Sequence, residues 1–363
     1  MKPLIAIPLL FALASAVPLR AQDPPPPTAA ESTTETRYAV AVVDDATFYS
    51  SPSYHLPAVL NQVLVEPNFD LRYRGRWTLS TSLIGRTLTY TDSASTVRVR
   101  EAYAGLSAGD FDLTAGRKLV RWGTGYAFTA AGVVDPPRVP TDPTDRLNLN
   151  QGRDMLKLDW VHGPHAVTAA WSTVALAPAG SSARDTSAVR YNVLVHGFDT
   201  ALIAGNDRGG DSFGALTFTR VVGQAWEFHG EAAWREQAAV LAGAKYVMRN
   251  GVTFIGEFYT PPNIPYYRDA ALSPLAGRQH YAFFYAGKNR LRELPGWKQW
   301  DLSGSIVSNL DDHSYTGILD VSRWFGNHFS AYTHIEIPAG ARHSDYGSAP
   351  YAAANSLGVR FHL

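Results

Sequence analysis

The 363-residue sequence predicts an all-β chain closed into a transmembrane antiparallel up-and-down barrel of 18 strands, with 16 as the alternative count. Three observations predict it. Apolar and polar residues alternate with period two from Tyr38 onward, and helical periodicity is hardly visible. The alternating segments, many of about 9 to 13 residues, suit strands tilted across a bilayer, and tight and long connections take turns between them. After the N-terminal stretch no run of about 18 apolar residues occurs, so only strands could cross a membrane.

At the N-terminus, Lys2, the apolar stretch Leu4 to Leu13 and Ala14-Ser15-Ala16 have the layout of a secretory signal, with cleavage after Ala16 or Ala21. Its ten or so apolar residues are too few for a helical span. Residues 22–36, with Asp23-Pro24-Pro25-Pro26-Pro27 followed by small polar residues, read as a Pro-rich periplasmic lead-in that cannot bury a core. Residues 37–363 are then the barrel. Cysteine is absent, so lipid attachment, disulfides and thiolate metal sites drop out. The chain has 32 basic and 32 acidic side chains; loss of residues 1–21 removes Lys2 and Arg20 and leaves 30 against 32, which points away from nucleic acid.

The first strand is Arg37–Val43, where Tyr38, Val40 and Val42 alternate; the parity of the later connections requires it. In the second, Val63, Val65, Phe69, Leu71 and Tyr73 alternate with Leu64, Glu66, Asn68, Asp70 and Arg72. Further strands fall at 76–90, 95–107, 110–122, 153–161, 164–175, 187–196, 198–205, 212–222, 225–235, 239–249, 251–260, 279–286, 298–309, 312–324 and 327–337. In 225–235, Trp226, Phe228, Gly230, Ala232 and Trp234 oppose Glu227, His229, Glu231, Ala233 and Arg235. Unpaired charge on that inner face would cost a sandwich core several kcal/mol, about 3 to 5, whereas a wet lumen removes the cost. Tight turns sit at Ser107–Asp110, His162-Gly163-Pro164, His196-Gly197, Val222-Gly223-Gln224, Asn250-Gly251 and Phe325-Gly326-Asn327. Long connections cover 123–152, 176–186, 261–278 and 338–354; 287–297 is long for a turn and Asn309–Asp312 short for a loop. Trp77, Trp160, Trp171, Trp226, Trp234, Trp300 and Trp324 lie toward strand ends, as interfacial aromatic belts would place them. The last strand, Asn355–Leu363, alternates strictly and needs a partner, which closure on the first strand provides.

That last strand resembles the closing strand of bacterial outer-membrane β-barrels, with Leu363 where they usually carry an aromatic. Arg100-Glu101-Ala102-Tyr103, Gly116-Arg117, Trp122-Gly123, Gly125-Tyr126-Ala127-Phe128 and Asp135-Pro136-Pro137-Arg138 together resemble a segment of porin-like barrels that includes alginate-export-type relatives. The resemblance implies an outer-membrane location and a channel, with polysaccharide export as one alternative function.

The segment Asp70 to Arg121 is basic. Arg72, Arg74, Arg76, Arg86, Arg98, Arg100, Arg117, Lys118 and Arg121 stand against Asp70, Asp92, Glu101, Asp110 and Asp112, nine against five. Guanidinium groups on neighbouring strands would line a pore and favour anions, or would pair with lumen acids such as Glu66, Glu227, Glu231, Asp320 and Glu336 and brace the wall. With Val97 and Val99 facing lipid, strict alternation turns Glu101 outward, so a bulge near Arg100 or an interfacial position is required. The loop Thr124–Gly152 is the third outside loop, expected to fold inward and narrow the channel, with Asp135, Arg138, Asp142, Asp145 and Arg146 offering polar contacts. Thr141–Asp145 could form a calcium loop or an ordinary turn.

The expected function is a passive channel for small hydrophilic solutes with a mild anion preference; a non-conducting surface or assembly barrel is the other alternative. No metal-ligand spacing, nucleophile elbow or phosphate loop appears, so neither an enzyme nor a cofactor is expected. Expected partners are outer-membrane lipid, the barrel-assembly machinery and small hydrophilic or anionic solutes; the oligomeric state stays open.

Overall fold

The computed structural model describes residues 34–53, 56–73, 77–89, 94–136, 138–173, 185–207, 211–235, 237–261, 280–291 and 296–362. The expected signal and most of the lead-in, Arg74, Arg76, Asp92 and most of the connections 176–186 and 261–278 lie outside the described residues.

Eighteen strands follow one another: β1 (Thr34–Ser50), β2 (Val59–Tyr73), β3 (Trp77–Thr89), β4 (Ala94–Ala108), β5 (Phe111–Lys118), β6 (Arg153–His162), β7 (His165–Thr173), β8 (Thr186–Val195), β9 (Phe198–Asp207), β10 (Ser212–Val222), β11 (Trp226–Trp234), β12 (Ala238–Val247), β13 (Thr253–Thr260), β14 (Tyr281–Lys288), β15 (Trp300–Asn309), β16 (Ser314–Phe325), β17 (Phe329–Ala339) and β18 (Ala353–His362). Each pairs antiparallel with the next. β18 returns to β1, from Ala353 opposite Ser50 to His362 opposite Ala41, and closes the sheet. Closure leaves no strand with an open edge, the condition a barrel needs in a solvent that cannot satisfy backbone groups. Among the described residues there is no helix.

The strand count of 18 holds and the count of 16 falls away, because the four-residue connection 310–313 does separate β15 from β16. Two strands depart from expectation by more than two residues at an end. β1 begins at Thr34 and runs to Ser50, far beyond Arg37–Val43, because all of β2 and β18 must be covered. β5 stops at Lys118 rather than residue 122. Gly116 has φ 118° there, and a Cβ would stand 2.4 Å from the Ala102 carbonyl oxygen, so the regular pleat ends and the chain leaves the wall. The tight turns carry left-handed residues, such as Gly163 at φ 56° and Gly326 at φ 75°.

Alternation sorts the faces as the pleat demands. Along β11, Trp226, Phe228 and Trp234 are exposed on the outside, while His229 and Glu231 are buried inside. Val97 is 80% exposed, and Leu156, Leu202, Phe284, Ile306 and Leu357 repeat the pattern around the circumference. Aromatic rings cluster outside at the turn end, where Phe329 lies 5.2 Å from Phe325 and 4.8 Å from Phe361. Trp324 departs from the expected belt. Its Nε1 donates to Asp301 at 2.9 Å on the lumen side, because β16 places even-numbered residues inward.

Candidate functional site: a loop clasped inside the barrel

A bulge in β4 starts the site. Ser82 pairs with Glu101 but Leu83 pairs with Val99, so Arg100 is the extra residue and Glu101 escapes the outward parity of Val97 and Val99. The bulge holds both ends of the following long connection. Leu119 N–H donates to Glu101 at 2.8 Å, and Gly152 N–H donates to the Arg100 carbonyl at 2.9 Å. Arg100 itself pairs with Glu66 at 2.7 Å, and Asn148 of the loop donates to the other Glu66 oxygen at 3.1 Å. Arg117 grips Asp154 with two nitrogens, at 3.0 and 2.8 Å, and reaches the Val99 carbonyl at 3.2 Å.

Between those ends, residues 119–152 pack against inward-facing positions of the wall, as expected for the third outside loop. Their main-chain N–H groups are captured by wall carboxylates. Glu231 of β11 accepts from Thr124 N at 2.5 Å and Gly125 N at 2.9 Å through one oxygen, and from Ala130 N at 2.6 Å and Ala131 N at 2.7 Å through the other. The hydroxyls of Thr124 and Thr129 add bonds at 3.2 and 2.9 Å. Glu257 of β13 accepts from Tyr126 N at 2.5 Å, Ala127 N at 2.9 Å and Phe128 N at 3.3 Å, and meets His229 Nε2 at 3.0 Å. Charge-assisted bonds of this kind are about twice as strong as neutral ones. At Gly125 a Cβ would lie 2.3 Å from the Phe128 carbonyl oxygen and 2.7 Å from Leu241, so the chain can pass there only without a side chain.

Loop side chains complete the seat. The Tyr126 hydroxyl donates to Glu227 at 2.9 Å and accepts from Lys245 at 3.1 Å; burial first, then the bond to Glu227, pushes its pKa upward. Asp135 folds back on its own loop, accepting from Trp122 N at 2.6 Å and Gly123 N at 3.1 Å. Burial raises its carboxyl to about 6 against the opposing pull of those N–H groups and of Arg138, whose guanidinium lies 3.7 Å away. Three apolar clusters seat the same loop: Phe128 stacks on Tyr259 at 5.0 Å beside Leu241 and Phe283; Trp122 and Val134 meet Ile203 and Phe213; Leu147 meets Val43, Leu64 and Ile84.

Arg146 is the far anchor. It reaches Asp45 of β1 at 2.6 Å, and Asp45 also accepts from Tyr332 of β17 at 2.8 Å and Gln62 of β2 at 3.1 Å. Arg360 of β18 donates to the Arg146 carbonyl. Asp142 accepts from Arg146 N at 3.0 Å, and Asp145 from Leu149 N at 2.7 Å and Asn150 N at 3.0 Å, so 141–145 forms capped turns rather than a cation loop.

The expected site residues therefore divide. Arg100 and Arg117 brace the wall. Glu227 and Glu231 face inward as expected, but they hold the loop, and Glu231 is sealed at 3% exposure, so it does not line an open path. Arg98 is exposed on the face it shares with Ile84, Arg72 is exposed near the turn end of β2, and Arg86 is half-buried on β3. Arg121 is exposed at the loop entrance; partial burial, then the neighbouring Arg138, pulls its pKa down, with Asp135 and Asp145 opposing and Arg100 adding a smaller downward pull. Sequence reading missed Glu257, His229 and Asp45. The parity of Ile255, Glu257 and Tyr259 against Phe254, Gly256 and Phe258 marks Glu257 as inward, but nothing in β13 points to its partners in the loop.

No protein-family model and no curated protein sequence matches the chain. Solved structures do. The chain is similar to Pseudomonas aeruginosa OccK11 (OpdR), with a TM-score of 0.61 and 11% identity over 90% of this chain and 96% of that one. It is similar to OccK5 (OpdH) of the same organism, with a TM-score of 0.60 and 9% identity over 91% and 98% of the two chains. It is likewise similar to the outer-membrane protein OpdK solved with vanillate, with a TM-score of 0.59 and 10% identity over 90% and 98%. At these identities the likeness establishes the closed 18-stranded barrel.

Proposed function

We propose that the chain is a passive outer-membrane channel for small hydrophilic solutes, with a bore set by the loop 119–152 and a mild preference for anions. The carrying observation is the loop itself, held inside the barrel by Glu231, Glu257 and Asp45 while Arg98 and Arg121 stay exposed. The outer face supports membrane insertion: rows of exposed Val97, Leu202, Phe284 and Leu357 would be untenable in water and suit lipid. Vanillate, seen with OpdK, is a carboxylate, and guanidinium groups suit such an anion. Residues 1–21 act as the export signal in this reading, the residues from 22 up to the start of β1 at Thr34 as the periplasmic lead-in, and the barrel-assembly machinery inserts the barrel.

The alginate-export-like motifs lend less to an exporter than their chemistry suggested. Arg100, Glu101 and Arg117 are spent on bracing and on clasping the loop ends. The three apolar clusters around the loop favour one rival, a non-conducting barrel with a filled lumen. Single-channel conductance of the refolded protein in planar bilayers, with reversal potentials in a salt gradient, decides between them. The channel reading expects stable openings and an anion-selective reversal potential that moves toward zero when Arg98 and Arg121 are changed to Gln. A folded, heat-modifiable barrel without openings would leave the non-conducting reading.

A further inference from the structure

The strongest feature outside the loop site is a basic pocket at the opposite, turn end of the barrel. A cavity of about 490 Å³ is lined by Arg249, Asn250, Lys288, Arg290, Asp301 and Trp324. A second of about 360 Å³ shares Arg290 and Trp324 and adds Lys298 and Gln299. Asp301, the one acid among the described lining residues, does not neutralise them. Asp301 Oδ1 takes the Arg290 N–H at 2.6 Å, and Oδ2 takes Ser322 Oγ at 3.2 Å and Trp324 Nε1 at 2.9 Å. Among the described residues no carboxylate stands within ion-pair distance of Arg249, Arg290 or Lys298.

The cations sit on tethered backbone. Leu291 N–H donates to the Trp300 carbonyl at 2.9 Å, Trp300 N–H to the Trp297 carbonyl at 3.0 Å and Trp324 N–H to the Gln299 carbonyl at 2.9 Å. Arg290 holds a left-handed φ of 55°, a costly conformation for an arginine, which the Asp301 bond and the flanking Leu291 bond maintain. The pocket straddles the rim: Asp301 and Trp324 come from lumen-facing positions, Lys288 from an outward one. Just outside, Trp297 and Trp300 lie 5.1 Å apart, and Arg323 rests 5.3 Å over Trp300 and 4.8 Å over Phe325.

We propose that this rim pocket binds a phosphate group through Arg249, Arg290 and Lys298. Three donors of like charge around one concavity suit a compact oxyanion, and arginine adds paired hydrogen bonds to its oxygens. Two sources present that group: an anionic phospholipid, whose acyl chains would run along Trp300 and Phe325, or a free phosphate-bearing solute. The inference goes beyond the channel reading, and neither conductance nor its absence affects it.

The test is native mass spectrometry of the full chain released from detergent with added phosphatidylglycerol or phosphatidylcholine, and a separate titration with inorganic phosphate. Binding of phosphatidylglycerol should weaken about five-fold in Lys298→Gln and about 100-fold in the triple variant with Arg249→Gln and Arg290→Gln, while Arg37→Gln on another part of the rim changes nothing. Phosphatidylglycerol bound and not displaced by phosphate supports the site with a lipid source; phosphate bound in preference supports it with a solute source. Equal retention of both lipids that the triple variant does not weaken, or unchanged binding of phosphatidylglycerol and phosphate by a triple variant that still shows a heat-shifted band on gels, overturns the proposal.

Discussion

Glu231 and Glu257 do by side chain what a helix or sheet ladder would do by main chain: they satisfy the N–H groups of loop residues between Thr124 and Ala131 that have left the wall. Glu231→Gln keeps the size but replaces one accepting oxygen by a donor facing donors. The expected cost to loop docking is about 3 kcal/mol, seen as new protease cleavage between residues 124 and 131 and, if the proposed channel conducts, as larger and noisier single-channel currents. Glu257→Gln should act in the same direction. Asp135 makes docking pH-dependent with a definite sign. Its folded pKa of about 6 lies above the ordinary carboxylate value, so the folded loop binds the proton more tightly than the free one. Stability from this group is full below the free value and is lost as pH rises through about 6. Lowering the pH from 7 to 5 should therefore tighten the loop by about 1 kcal/mol, and Asp135→Asn should abolish that dependence in hydrogen exchange at Trp122 and Gly123.

At the scale of the element, strands were legible and the loop was not. Strand identity follows from alternation within ten or so residues, so the marked segments and their tight turns match β2 to β18 closely, apart from the end of β5. The need for a bulge near Arg100 was also readable, since the parity of Val97, Val99 and Glu101 conflicts within one strand. The end of β5 was not, because the φ of Gly116 is a three-dimensional fact with no local signature. Gly116→Val combines a left-handed φ with a Cβ 2.4 Å from a carbonyl oxygen. It should destabilise the barrel by about 3 kcal/mol, read as a lower temperature of conversion from folded to unfolded bands on gels. The seat of the loop escaped sequence reading for another reason. Its donors are backbone groups, the same in every residue, and its acceptors lie about 100 residues away on β11 and β13.

For the whole molecule, the loop and the closing seam are one structure. Arg146 touches Asp45 on the first strand, its carbonyl receives Arg360 from the last, and Tyr332 and Gln62 join from either side. Across the same seam the Thr47 and Ser356 hydroxyls meet at 2.7 Å. Arg146→Met would strand the wholly buried Asp45 charge, at a cost of about 3 to 5 kcal/mol, whereas Arg146→Met with Asp45→Asn should recover much of that loss. Heat-modification midpoints of the two variants measure the difference; equal loss in both would separate the loop from the seam. Pairing of β18 with β1 was foreseeable from the need to close an edge, but the pin through it was not, because Arg146 and Asp45 are ordinary residues until the fold brings them together. Anchorage through main-chain amides has an evolutionary corollary. Because residues 124–131 are also held by the close pass at Gly125, the Thr124 and Thr129 hydroxyls and the buried Phe128, the clasped stretch is the part of the loop least free to drift in sequence, and exchange is expected at exposed positions outside it, such as Arg121, Val139 and Leu149.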